Sequence, residues 1–382
     1  MKRYLLSFLF LIFTLSTALA GDWIQKASHG GVGRHRASGC ATTNKGYMGL
    51  GHMNGTGVNI NYNDWWEYDP ASNSWTQKAN YPVGNYAAIS FTVDEQPHVG
   101  GGATLVGQFY RFNPQANTWT AIAPCPFFDP TDSQGFSVNN KGYVYKNNQL
   151  AEYDPQINSW SLKANAPVSF TNWTCCFAIE GSGFIKQGGL LFEFKPAENT
   201  WIQRANFPGV TTGGSSGFAI NQQGYVTCGY VGGLSILTDQ VWSFSPGSNT
   251  WTAVEVFPGT SRRFPVAFAI HNKGYFGSGT NGVNFNDFWQ YNPVDDVSAL
   301  SELDAQVSIF PNPASDFVKL KFSGIQQELK YEFITLSGQI LLEGSVSSDN
   351  AMIDVKHLPR GSYILRFRKD EAILFSDQIL LL

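Results

Sequence analysis

Cationic and imidazole side chains gather at two distant places in this 382-residue chain: Arg34, His35 and Arg36, and then Arg262 and Arg263. Guanidinium forks grip carboxylate or sulfate through paired hydrogen bonds, and an imidazole moves protons near neutral pH. Each cluster stands ten to twelve residues before the Gly of an Asn-Lys-Gly turn, at Gly46 and Gly274. Counting back from the other such turns gives Asn85 and Tyr86, then Asp132, then Thr171 to Trp173, then Thr212 to Gly214. If these positions share one rim, four Arg lie on one side with an aromatic opposite. That set suits an anionic, hydroxyl-rich ligand, because Trp and Tyr faces stack on sugar rings. The candidate ligand-binding residues are Arg34, Arg36, Arg262, Arg263, Tyr86 and Trp173. A structural role, in which Arg side chains pair with neighbouring loop carbonyls, competes with this one.

Signatures of catalysis are weak. No H-E-x-x-H, phosphate-binding loop, nucleophile elbow or Cys-x-x-Cys pair occurs. Asp132, His35 and Tyr86 are the candidates for a general base. His29, His35 and His52 fall close together, but their spacing is irregular, so no metal and no cofactor are expected. Five Cys is an odd number, which leaves at least one thiol free or externally paired. Cys175 and Cys176 are adjacent in a strand, so they point to opposite faces, and a bond from one of them to Cys125 stays open as an alternative.

What must position these residues is a repeat. Tyr68-Asp69-Pro70 leads through Asn73 to Trp75, and the same wording returns at Phe112 to Trp119, Tyr153 to Trp160, Phe194 to Trp201 and Phe244 to Trp251. A sixth copy starts at Tyr291-Asn292-Pro293 but has Ser298 where Trp should stand. The Pro positions 70, 114, 155, 196, 246 and 293 are separated by 41 to 50 residues, room for about four short strands. Asn-Lys-Gly turns, with Gly expected to supply a positive φ, link the first two strands of a unit. Asp22-Trp23 resembles Ser74-Trp75, a fourth strand with no first three before it. A ring closes if this segment, 22–27, completes the last unit, which gives six blades and hides both sheet edges.

Composition agrees. Charged residues make up only 14% while aromatics reach 15% with 39 Gly, the vocabulary of strands and turns. A net charge of −4 without any basic run disfavours nucleic acid. Residues 1–20 read as a secretory signal: Lys2 and Arg3, an apolar run from Tyr4 to Phe13, and Ala18-Leu19-Ala20. No other stretch would span a membrane once it is removed.

After Pro293 the pattern changes. Residues 295–305 form a polar linker. Val307 to Phe322, Tyr331 to Leu342 and Leu358 to Phe367 then alternate polar with apolar residues, as in a small β-sandwich.

Asn63-Asp64-Trp65-Trp66-Glu67-Tyr68 and Asn286-Asp287-Phe288-Trp289-Gln290-Tyr291 resemble the third-strand wording of kelch repeats, over about 270 residues. The tail resembles the type A C-terminal sorting domain of the type IX secretion pathway of Bacteroidetes, through Pro311-Asn312-Pro313-Ala314, a Ser337-Gly338-Gln339 turn, Ile353-Asp354 and Leu358 to Tyr363. The expected chain is all-β: a signal peptide (1–20), a six-bladed kelch-type propeller (21–294), the linker, and an Ig-like sorting domain (306–382). The resemblance implies Sec export, then passage across the outer membrane through the secretion machinery, to a secreted or surface destination. Three roles stand: a module binding a glycan or protein ligand, an enzyme on acidic sugars such as a kelch-type epimerase or oxidase, or a structural surface protein.

Overall fold

The repeat folds into six four-stranded antiparallel sheets in the computed structural model. The structure describes residues 21–55, 57–127, 134–170, 174–293, 308–321, 329–335, 339–347, 350–369 and 372–382. The expected leader 1–20, the linker 295–305, Asp132, and Thr171 to Trp173 lie outside the described residues. Two units result, Met1–Pro293 and Val294–Leu382.

In the first sheet the strands run Ser38–Ala41, Gly46–Gly49, Trp65–Asp69 and Ser74–Lys78, from the innermost outward. Four more sheets follow in chain order. The sixth takes Val266–Ile270, Lys273–Gly277 and Phe288–Asn292 from the end of the unit and its outer strand, Asp22–Lys26, from the beginning, with Trp23 opposite Tyr291. Innermost strands neighbour one another from the first sheet to the sixth and back to the first. This is the architecture of a propeller around a central channel.

The recurring Asn and Trp act together between sheets. In the second sheet Asn117 Oδ1 accepts the Ala79 N–H at 2.7 Å, and Trp119 Nε1 donates to the Ala79 carbonyl at 2.9 Å. Asn73 and Trp75 grip Ala27 in the same way, Asn158 and Trp160 grip Ala123, Asn199 and Trp201 grip Ala164, and Asn249 and Trp251 grip Ala205. All five Asn have positive φ, between 46° and 54°, a conformation that Asn tolerates better than most residues. At the sixth seam Gly21 stands in the Asn position, and Trp23 Nε1 reaches only the Glu255 carbonyl, at 3.4 Å.

The expected role of the turn glycines needs correction. In the hairpin before Gly142 the positive φ belongs to Asn139 and Asn140, the pattern of a two-residue type I′ turn. Gly142 is needed for close approach: a Cβ there would lie 2.1 Å from the Phe91 ring of the preceding sheet. Gly46, Gly183, Gly224 and Gly274 meet Phe268, Phe136, Phe177 and Phe218 likewise. A ring from one sheet over a bare Cα of the next sets the spacing of the barrel.

The five Cys are all free and buried, so the Cys125 bond left open above is not formed. Cys175 and Cys176 do face opposite ways, into separate core clusters with Phe207 and Phe170 respectively.

Two antiparallel sheets build the second unit. One holds Ser308–Phe310, Phe317–Lys321 and Asn350–Asp354; the other holds Leu329–Thr335, Ile340–Val346, Gly361–Lys369 and Ala372–Leu381. Val318, Ile353, Phe333, Leu365 and Ile379 join both in one core.

Candidate functional site

Residues entering the innermost strands of the fifth, sixth, first and second sheets gather where the sequence placed the rim, but their side chains divide. Arg34 and Arg262 turn inward and are 1% and 0% exposed. Arg34 donates to the carbonyls of Val32 and Leu50, both at 3.0 Å, and forks onto Asp64, with Nη2 2.8 Å from Oδ2. Arg262 repeats this on Thr260, Ser278 and Asp287. The expectation that all four guanidiniums face a ligand is therefore corrected for these two. Each is fully engaged inside the wall, where it joins an inner loop to the start of a third strand. Trp66 and Trp289 donate to the same carboxylates, both at 2.9 Å. This partnership was legible in the sequence: the two sheets with Arg at this position have Asp64 or Asp287 before the third strand. The fifth sheet, with Thr212 instead, has Gln240.

Arg36 and Arg263 stay at the mouth of the channel, each partly exposed. Both lie against Phe264, with guanidinium carbons 4.8 and 5.7 Å from its ring centre. Arg36 also lies 6.0 Å from the ring of half-buried Tyr86. Backbone bonds tie this arc together: Ala87 N–H donates to Arg36 O, Arg36 N–H to Phe264 O, and Phe264 N–H to Gly214 O, at 2.9, 3.3 and 2.8 Å. The geometry demands a left-handed backbone at this position in all four sheets, with φ of 53° at Arg36, 54° at Ala87, 67° at Gly214 and 59° at Phe264. Glycine is the unstrained residue there, so Arg36 and Phe264 occupy it at a cost of about 1–2 kcal/mol each. Ala87 bears the same conformation at the equivalent position of the second sheet, so the step belongs to the fold.

Beside them, His35 and His52 touch through their Nε2 atoms at 2.7 Å, and His35 Nδ1 lies 2.8 Å from Asn284 Oδ1. An amide oxygen only accepts, so His35 carries its proton on Nδ1 and His52 donates from Nε2. Burial lowers His35 to about 4; the Asn284 bond opposes this, and Arg36 and Arg263 add to it. Burial, then His35 and Arg36, lower His52 to about 3. Both rings are neutral at pH 7, and His52 stacks on Tyr86 at 3.9 Å. His29 stands apart, with Nδ1 accepting from Gly31 N–H, so the three imidazoles do not converge. Among the described residues no group of three or more potential ligands could hold a metal.

Two open grooves meet at Arg36 and Asn54. One, about 580 Å³, runs between Tyr86, His52 and the hairpin of His52–Gly55 and Val58–Asn61; the other, about 300 Å³, runs between Arg263, Phe264, Thr280 and Asn284. Beneath them the channel narrows to a cavity of about 120 Å³ lined mainly by Ser, Gly and Ala. Among the described residues that line the three, none is a carboxylate. The second and third strands are joined by long connections in the fifth, sixth, first and second sheets, and by the turns Asn147-Asn148 and Gly188-Gly189 in the third and fourth. Asn284 is the site residue that counting from turn glycines missed.

Residues 308–380 match the family described as Secretion system C-terminal sorting domain. The protein is an exported substrate of the type IX pathway. Its tail implies engagement with that machinery, and delivery to the cell surface or the medium. A solved structure entitled "Structure of YjhT", a propeller, is similar at 17% identity and a TM-score of 0.59, over 69% of this chain and 96% of that one. No curated protein matches the sequence. For a type IX substrate the thiols are well protected: burial raises Cys40, Cys125 and Cys228 to about 12 and Cys175 to about 11, so none is a ready thiolate.

Proposed function

We propose that this exported protein is a six-bladed kelch-type propeller that captures an acidic glycan at its channel mouth, carried on an Ig-like sorting domain. The observation that supports it most is that Arg36 and Arg263 both lie against Phe264, beside grooves whose described lining residues include no carboxylate. Guanidiniums bind carboxylate or sulfate through paired hydrogen bonds, and Tyr86 offers a sugar ring an aromatic surface. The mature chain in this reading begins at Gly21, with the propeller over 21–294, the linker over 295–305 and the sorting domain over 306–382.

A second reading, an enzyme on acidic sugars, draws on the His52–His35–Asn284 chain. Its weakness is basicity, since imidazoles held near 3 and 4 accept protons poorly at neutral pH. The test is a glycan array comparing uronic, sialic and sulfated glycans with neutral ones, on the intact protein and on R36A/R263A. Selective acidic binding lost in the double variant supports the reading; absence of acidic binding refutes it. Chemical change of a bound sugar, followed by NMR, would transfer the weight to the enzyme.

A further inference from the structure

The mouth holds two grooves where a single charged sugar needs one. Arg36 and Asn54 belong to both, so whatever lies in one groove is continuous with the other. The groove over Arg263 and Phe264 has both cations. The groove over Tyr86 has only Arg36 at its edge and is otherwise lined by neutral hydrogen-bonding and ring surfaces: His52, Asn54, Asn59 and Tyr86, whose ring His52 backs at 3.9 Å. Planar amides and an aromatic face are the chemistry of an uncharged sugar unit. The hairpin that carries Asn54 and Asn59 is an insertion absent from the third and fourth sheets, so the second groove is built by dedicated sequence.

Resting on the proposed glycan capture, we propose that the ligand is an acidic oligosaccharide rather than a monosaccharide. One acidic unit lies between Arg36 and Arg263, and the adjoining unit lies in the Asn54–Asn59–Tyr86 groove. Together the grooves fall in the size range of ordinary ligand sites, and they are open enough for the chain to run on.

The test is calorimetric titration of the intact protein with glucuronic acid and with a hyaluronan tetrasaccharide, repeated on N59A and R36A/R263A, each checked for an unchanged melting temperature. The tetrasaccharide is expected to bind at least about tenfold more tightly than the monosaccharide, and N59A is expected to bring that ratio near one. Equal affinities for the two sugars would overturn the two-unit assignment while leaving acidic-sugar capture standing. A tetrasaccharide advantage that N59A does not reduce would overturn the placement of the second unit. Binding of neither sugar, with sulfated and sialylated tetrasaccharides also failing, would remove the underlying glycan reading and this inference with it.

Discussion

Arg36 and Arg262 make a matched pair for separating a binding residue from a structural one, and the informative substitution at Arg36 is glycine. Arg36 sits at φ 53°, so Arg36→Gly relieves about 1–2 kcal/mol of backbone strain. Against this, glycine gains freedom in the unfolded chain worth about 0.5–1 kcal/mol, and the guanidinium loses its contact with Phe264, worth about 0.5–1 kcal/mol. The sum lies within about 1 kcal/mol of zero, a melting shift of no more than about 4 °C for a unit of this size. Arg262→Ala strands Asp287 and empties a fully buried site, so it should cost about 3–5 kcal/mol and lower the melting point by about 6–10 °C. Affinity for an acidic glycan should move oppositely. Loss of the Arg36 fork removes about 1.5–3 kcal/mol, or about 10- to 150-fold, from a protein that remains folded. Differential scanning calorimetry with parallel titration measures both. If Arg36→Gly melts as early as Arg262→Ala, or keeps full affinity, the assignment of these two arginines to different tasks is wrong.

Three other outcomes follow from the same geometry. Asn158→Ala should cost about 3–4 kcal/mol, from the hydrogen bonds that Asn158 accepts from Ala123 and Tyr153 and a left-handed Ala, and Asn158→Gly about 2 kcal/mol; thermal melts distinguish them. Burial holds His29, His35 and His98 at about 4 and His52 at about 3, below the ordinary 6.5. The unfolded chain therefore takes up protons first: stability is complete above pH 6.5 and declines as pH falls towards 4 and 3, and His98→Gln should flatten that decline in a pH series of melts. Phe333, fully buried in the second unit, should not tolerate Asp; F333D is expected to abolish surface delivery, read by immunodetection on whole cells, with the first unit still folded inside.

How far the sequence reached depends on what kind of information each feature carries. Six sheets and the borrowed strand at Trp23 were legible because the Asn-to-Trp wording is a local signal, written five times in full, and its one gap is matched by one surplus strand. What the wording does was not legible in it. Its Asn and Trp work as a pair on one alanine of the neighbouring sheet, a contact between residues 35 to 48 apart that periodicity within a strand cannot display. The turn glycines erred for the same reason, since Gly142 answers to Phe91 rather than to its own hairpin.

The site shows the limit more sharply, because Arg34 and Arg36 are two residues apart and identical in type, yet one is sealed in the wall and the other reaches the mouth. Alternation alone would place both side chains on the same side of an extended strand. What divides them is the left-handed step at Arg36 together with a partner 30 residues from Arg34, Asp64, and only the second of these leaves a trace in the sequence. That trace is the internal pairing of Arg with Asp in the first and sixth sheets and of Thr with Gln in the fifth. Applied to the rim, the rule removes Arg34 and Arg262, keeps Arg36 and Arg263, and so concentrates the mouth's positive charge on two side chains that share a single aromatic ring. In the proposed reading, a ligand recognised there presents its anionic group to these two side chains and makes its remaining contacts with amides and rings.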